Sequence, residues 1–500
     1  MNIAHLLTEA AAERPEHPAF LFENQSLTYA ALDRLTDRFA AALDRRGLRA
    51  GEVIAIVLDS SPELVIACLG AFKAGVVPNV VNGMLQPEEV RTVVADSRAR
   101  VLVTDPDRWS ALGSVRAGLG VDEQHVLITG ETAANRGTQS FDRTLADAPD
   151  RIATLDLPPE ALACLLYTSG TTGRPKGVML TQRNITDNAV TFAKVHYGPD
   201  DRLLIAAPLF HCWGLINGVL GIFAVRGTAI AVRRYRTEPV LDLIEQARPT
   251  VFLGVPTMIN YMAKSPGIAR RDRSSLRAVL CAAAPMPREL IDVLLRDWGV
   301  GYAESYGLTE TSPVITTTTP GAMRPGCCGR PMGDTRLKVV DPAGTTLPPG
   351  SVGELWAHGT AISAGYFGQP EATADVFTSD GWFKTGDLVT MDDDGYVTIV
   401  DRAKDMINVG GEKVYPRDVE EVLHKHPAVA DAVVLGVADP DFGEVVKTLV
   451  ALNPGASLTG DELIAYLRPQ LARYKLPRIV EFVAAVPRSP SGKALRRLLR

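Results

Sequence analysis

Residues 53–80 place the first firm limit on the fold. VIAIVL at 53–58 is a continuous apolar run with the length of a buried strand. Ser61 then offers a hydroxyl to cap a helix, and Pro62 suits the first helical position. ELVIACLGAFKA carries apolar residues at helical spacing, Gly75 supplies a stop, and VVPNVV reads as another strand. The same alternation continues through 101–104, 164–167, 203–206, 228–232, 251–253 and 278–281. Recurrent strand–helix–strand units give a mostly parallel sheet flanked by helices, so the fold class is α/β.

After residue 330 the texture changes. LKVVD, GELWAHG, GWFKTGD and GYVTIVDR are short β-like segments punctuated by Gly, Pro and Asp, as in hairpins of a small β-rich part. From 401 onward a last compact unit shows a helix at 416–425, strands near 430–437 and 445–452, and a helix at 459–472. A chain of 500 residues exceeds one ordinary core. The expected organisation is a large N-terminal domain at 1–400, of α/β subdomains plus the β-rich part, and a small α+β C-terminal domain at 401–500. The boundary falls at 401–404, between the strand YVTIV and the turn DMINVGG.

A net charge of −6 with no block of Lys or Arg gives no sign of a nucleic-acid partner, although a local pocket can still be basic. No run reaches the ~18 apolar residues of a membrane span, and the N-terminus lacks the basic and apolar segments of a secretion signal. The six cysteines form no CxxC pair and several sit in apolar runs, which reads as buried free thiols. These features suit a cytoplasmic enzyme.

The stretch richest in chemistry is YTSGTTGRPKGV at 167–178, which follows the apolar run ALACLLY. Glycines let backbone N–H groups approach an anion, hydroxyls add donors, and Lys176 adds positive charge, a combination that suits a triphosphate. The Walker A pattern fails, because Pro175 stands five residues after Gly170 where that loop needs Gly. Read without further context, the segment is also compatible with a Gly/Thr-rich surface turn.

The complete string resembles the phosphate loop of the adenylate-forming superfamily: acyl- and aryl-CoA ligases, peptide-synthetase adenylation domains and firefly luciferase. Six further segments follow in that family's order. They are PLFHCWG (208–214), CAAAPMP (281–287), SYGLTE (305–310), GWFKTGD (381–387), DRAKDMINVGGEKVYP (401–416) and PRSPSGKALR (487–496). The resemblance implies ATP-driven activation of a carboxylic acid to an acyl-adenylate, then transfer to a thiol. Both attacking carboxylate and α-phosphate are negative, so such a site must neutralise their approach.

On this resemblance Thr168, Ser169, Gly170, Thr171, Thr172, Gly173 and Lys176 would cradle the phosphates. Glu310 would be a hard oxygen ligand for Mg²⁺, and Thr309 would contact the α-phosphate. Tyr306 and Gly307 would lie at the adenine, with Ala283 and Ala284 passing beside adenine and acyl group. Asp387 would accept from both ribose hydroxyls, and Arg402 would make a second ribose or phosphate contact. Lys404 occupies the hinge of a mobile C-terminal domain. Lys493 would swing in to bridge carboxylate and α-phosphate, and Gly410 and Gly411 would later line the pantetheine channel of coenzyme A. By composition alone, Lys493 would belong to a basic tail and Asp387 to an ordinary turn.

His211 matches a gate at the mouth of the acyl pocket, which Trp213, Leu215, Ile216 and Asn217 would make largely apolar. Cys212 stands where enzymes activating α-amino acids carry an Asp, and a thiol cannot pair with an ammonium group. Ser305 is no Arg, which disfavours dicarboxylates. A fatty or aryl monocarboxylic acid is therefore expected. Arg234 matches loosely a basic position at the CoA nucleotide, which favours CoA over the alternative acceptor, the phosphopantetheine of a carrier protein.

Overall fold

The computed structural model describes residues 2–130, 137–150, 153–168, 175–319, 321–324, 326–402, 405–409, 412–440, 442–488, 494, 496 and 499, the side chain of Arg402 excepted. Val53–Val57 is a strand with every residue buried. Ser61 Oγ accepts from the Leu64 N–H at 3.3 Å, Pro62 opens the helix Pro62–Lys73, and Val77–Val80 pairs parallel to the first strand. The first unit thus folds as its sequence indicates.

The repeated units build two sheets. A seven-stranded sheet is parallel except for its edge hairpin, Leu162–Thr168 with Lys176–Thr181. A nine-stranded sheet has a parallel centre, running from Gly301–Gly307 through Ala278–Cys281, Val251–Gly254, Arg202–Ile205 and Thr228–Ala231 to Pro18–Phe22. Its edges are antiparallel. Leu203 and Ile205 face a central core that also holds Ile54 and Ile56 of the other sheet, while Leu204 and Ala206 face outward to a second core. Both faces of these strands are covered, which explains runs without alternation.

A four-stranded antiparallel sheet of Arg336–Val340, Gly353–His358, Phe383–Met391 and Val397–Arg402 follows. The last of these runs on to Arg402 because that residue pairs with Asp387. DMINV is more than a turn: Ile407–Val409 is a strand that pairs with Glu412–Val414. The C-terminal sheet adds Val429–Asp439 and Gly443–Leu452, covered by the helices Pro416–His424 and Gly460–Leu467. The second helix stops short of 472 because Pro469 has no N–H to give the Ala465 carbonyl. Among the described residues no helix is long and apolar enough to cross a membrane.

Candidate active site

The hairpin that carries the Gly/Thr-rich segment brings Thr168 opposite Lys176. Ser169, Gly170, Thr171, Thr172 and Gly173, between them, lie outside the described residues. Lys176 Nζ sits 4.7 Å from the centroid of the Tyr366 ring. Tyr366 Oη in turn donates to Glu310 Oε1 at 2.9 Å. Backbone bonds fix this relay: Met179 N–H to Gly365 O, Ala364 N–H to Met179 O and Ser363 N–H to Glu310 O, each 2.9 Å, and Phe367 N–H to Gly177 O at 2.7 Å. The strand returning from the phosphate segment and the carboxylate of Glu310 are thereby held as one unit. Burial, and then the charge of Glu310, push the Tyr366 phenol above its ordinary range, so it stays a donor. Tyr366 lies outside the segments singled out in the sequence; its place here is created by the cross-strand contact.

Glu310 lies in the short turn Thr309–Thr311, just past the end of the strand Gly301–Gly307. A Cβ on Gly307 would come within 1.7 Å of the Pro313 carbonyl oxygen, so the chain can fold back here only with glycine. Tyr306, one residue earlier, donates from Oη to Asp387 Oδ2 at 2.6 Å. Burial first, then the neighbouring Asp387 charge, raise that phenol well above its usual value. Asp387 is 3% exposed and faces Arg402 in strand register. The adenine-side tyrosine and the ribose-side aspartate of the sequence reading are therefore direct neighbours.

The segment expected at the acyl pocket meets Thr309 through Cys212. Cys212 Sγ is 3.8 Å from Thr309 Oγ1, and the half-buried His211 ring stands 4.9 Å from that of Phe210. Trp213 opens a π-helix, Trp213–Leu220, whose residues are all buried. Such widened turns recur at functional sites. Trp213 Nε1 donates to Gly254 O at 3.1 Å, and its ring meets Phe192 edge-on at 5.4 Å. Asn217, wholly buried, donates from Nδ2 to Asn188 Oδ1 at 3.1 Å.

Ala283 and Ala284 follow the strand Ala278–Cys281, and Ala283 adopts φ +74°, unusual for a residue with a Cβ. Arg234 is bonded through Nε to Asp59 Oδ2 at 3.0 Å and stands away from the Lys176–Glu310 relay in its contacts. Lys404, Gly410, Gly411 and Lys493 lie outside the described residues, as does the side chain of Arg402.

Among the described residues no three His, Cys, Asp or Glu side chains group to hold a metal ion. Glu310 is a single carboxylate held by the Tyr366 hydroxyl, which fits a cation bound by one carboxylate and by the substrate's own phosphates, the usual manner of Mg²⁺.

Comparison with known proteins settles what this arrangement belongs to. The AMP-binding enzyme family matches residues 7–367, and the AMP-binding enzyme C-terminal domain matches 418–493. The chain is an adenylate-forming enzyme. A feruloyl-CoA synthase of an Amycolatopsis species is 38% identical over 485 residues, covering 96% of this chain and 95% of that protein. The fatty acid–[acyl-carrier-protein] ligase ScoC of Streptomyces coeruleorubidus is 36% identical over 502 residues, covering 98% and 94%. The anthranilate CoA ligase AuaEII, in complex with anthranoyl-AMP, superposes with a TM-score of 0.94 at 28% identity, over 100% of this chain and 96% of that one. This adenylate-forming enzyme is an AMP-forming acid–thiol ligase: it activates a carboxylic acid with ATP and transfers the acyl group to coenzyme A.

Proposed function

We propose that the acid is a hydrophobic monocarboxylic acid, aryl or fatty, activated as its acyl-AMP with release of pyrophosphate. The observation that carries this reading is the helix Trp213–Leu220, eight buried residues without a charge among them. Ser305, on the strand Gly301–Gly307, pairs with Thr317 Oγ1 at 2.9 Å and offers no cation. Neither element contains Lys or Arg, so a second carboxylate or a sulfonate buried there would lack a counter-ion. Cys212 likewise gives an α-ammonium group nothing to pair with. Relatives named for ferulate and anthranilate activation are in keeping with an aryl acid.

In this reading Glu310 would hold Mg²⁺, which would offset phosphate charge. Lys176 and the 168–173 segment hold those phosphates, Thr309 the α-phosphate, Tyr306 with Ala283 and Ala284 the adenine, and Asp387 with Arg402 the ribose. Lys493 completes the adenylation site from the C-terminal domain. Rotation about Lys404, at the boundary between 1–400 and 401–500, then brings Gly410 and Gly411 to the pantetheine. Six free cysteines, five of them buried, suit a reducing compartment such as the cytoplasm.

A second acceptor is favoured by one observation, the likeness to a ligase named for loading a carrier protein. The test is a pyrophosphate-release screen over fatty, aryl, amino and dicarboxylic acids, followed by CoA and holo-carrier proteins as acceptors. Release with aryl or fatty acids alone supports the proposal. Preference for an amino or dicarboxylic acid refutes it, and transfer to a carrier in preference to CoA replaces the acceptor.

A further inference from the structure

Two of the basic residues around Lys493 are committed to carboxylates. Arg488 grips Asp431 at two points, Nε to Oδ2 at 2.7 Å and Nη2 to Oδ1 at 2.5 Å. Asp431 stands on the strand Val429–Asp439. Arg496 donates from Nη2 to Glu420 Oε1 at 2.6 Å, from Nε to the Val434 carbonyl at 3.2 Å and from Nη1 to Asp405 Oδ2 at 3.4 Å. Glu420 belongs to the helix Pro416–His424, and its Oε1 also accepts the Val434 N–H at 2.8 Å. Arg488 and Ala494 pair with each other as an antiparallel bridge. Ala494 and Leu499 pack against the apolar cluster of Val433, Leu435 and Leu449.

The chain is therefore tied down both before and after Lys493. The side chains in these pairs are only 11% to 27% exposed, so water and salt screen them less than surface pairs. A two-point grip on a carboxylate fixes angle as well as distance, which a single ammonium contact does not. Asp405, Glu420, Asp431 and Val434 all lie within 401–500, and Asp405 directly follows Lys404. Rotation about Lys404 would break none of these bonds. A lysine side chain has much rotamer freedom, so its placement depends on a backbone held by neighbours. We propose that Arg488 and Arg496 are positioning residues for Lys493: they fix the two flanks of its segment to the C-terminal unit, so that the lysine is carried into and out of the adenylation site as part of that unit. This rests on the reading that Lys493 completes the adenylation site.

The test compares two half-reactions of the full chain, using an acid that wild type activates in the pyrophosphate-release screen. One is acid-dependent pyrophosphate exchange, and the other is thioester formation from the preformed acyl-adenylate and CoA. Arg488→Ala and Arg496→Ala should each lower exchange by about 10- to 100-fold, the cost of a reacting group misplaced by about 1 Å. Thioester formation should stay within threefold of wild type (~0.7 kcal/mol), which also shows that the C-terminal unit is folded. Arg488→Lys keeps the charge but not the two-point grip, and should fall between Arg488→Ala and wild type in exchange. The double variant Arg488→Ala/Asp431→Asn should be no slower than Arg488→Ala alone, because the two residues act as one pair. Exchange within twofold of wild type in both alanine variants, or equal loss of both half-reactions in Arg488→Lys, overturns the proposal. Lys493→Ala, assayed alongside, tests the underlying reading. Normal exchange in that variant removes the role of Lys493 and the proposal with it. Normal exchange in the arginine variants beside an inactive Lys493→Ala overturns the positioning role alone.

Discussion

Tyr366→Phe isolates the least expected contact of the site. The substitution removes the hydroxyl that donates to Glu310 Oε1 at 2.9 Å and leaves the ring 4.7 Å below Lys176 Nζ. A hydrogen bond to a buried charged group is worth about 2 kcal/mol. Glu310 is only 8% exposed, so water replaces the lost donor poorly. If that bond aims the carboxylate at the cation accompanying ATP, its loss lowers the adenylation rate by about 30-fold, since ~1.4 kcal/mol is a factor of ten. Tyr366→Leu also removes the aromatic face and its attraction for Lys176, a further ~0.5–1 kcal/mol. The assay is acid-dependent pyrophosphate exchange across a Mg²⁺ titration. The phenylalanine variant should need more Mg²⁺ and recover part of its rate when saturated. A variant within twofold of wild type, or one losing thioester formation from preformed acyl-adenylate as much as exchange, would refute the assignment.

Three other outcomes are expected. Lys493→Ala should lower pyrophosphate exchange by ~10²–10³-fold while preformed acyl-adenylate still reacts with thiol; equal loss of both half-reactions counts against its role. Lys73, fully buried, holds Asp33 at 2.6 Å and Asp37 at 2.5 Å between two packed helices. Lys73→Met leaves both carboxylates without their cation and should destabilise the N-terminal domain by about 3 kcal/mol in urea unfolding, and a loss under 1 kcal/mol would show that the carboxylates relax to solvent. Asp431 is raised by burial, but a two-point contact from Arg488, 2.7 and 2.5 Å, outweighs this and holds it down at about 2. With its folded value below the ordinary 3.8, the pair's stabilisation of ~2 kcal/mol is complete above that pH and disappears as pH falls toward 2. Acid unfolding monitored by circular dichroism should therefore move to higher pH in Asp431→Asn, and an unchanged midpoint would assign acid lability elsewhere.

What could be read from the sequence followed from local causes. Val53–Val57 and Arg202–Ile205 have no polar face because helices and a second sheet cover them, and an apolar run records that directly. Ser61 and Pro62 state a helix start in two residues. The division into seven- and nine-stranded sheets left no such mark, since parallel strands choose partners across long separations and the side chains record burial, not neighbour. Ile407–Val409 passed for a turn because three residues give no period, and its pairing with Glu412–Val414 supplies what the pattern lacks.

The same division runs through the site. Asp387, Tyr306 and Glu310 could be named from ordered segments, although nothing in those segments says that the first two touch at 2.6 Å. Residues such as Tyr366 could not be named, because they owe their role to partners more than ten residues away, here Glu310 and Lys176. These are the residues that join separate segments, and joining is what the chemistry demands. In the proposed chemistry, neutralising two anions needs a cation from the 167–178 hairpin, a carboxylate from the 309–311 turn and the 282–286 turn in fixed relative positions. The segments that carry the charges are therefore legible first, and the uncharged or buried groups that hold them in register emerge only when the chain is folded.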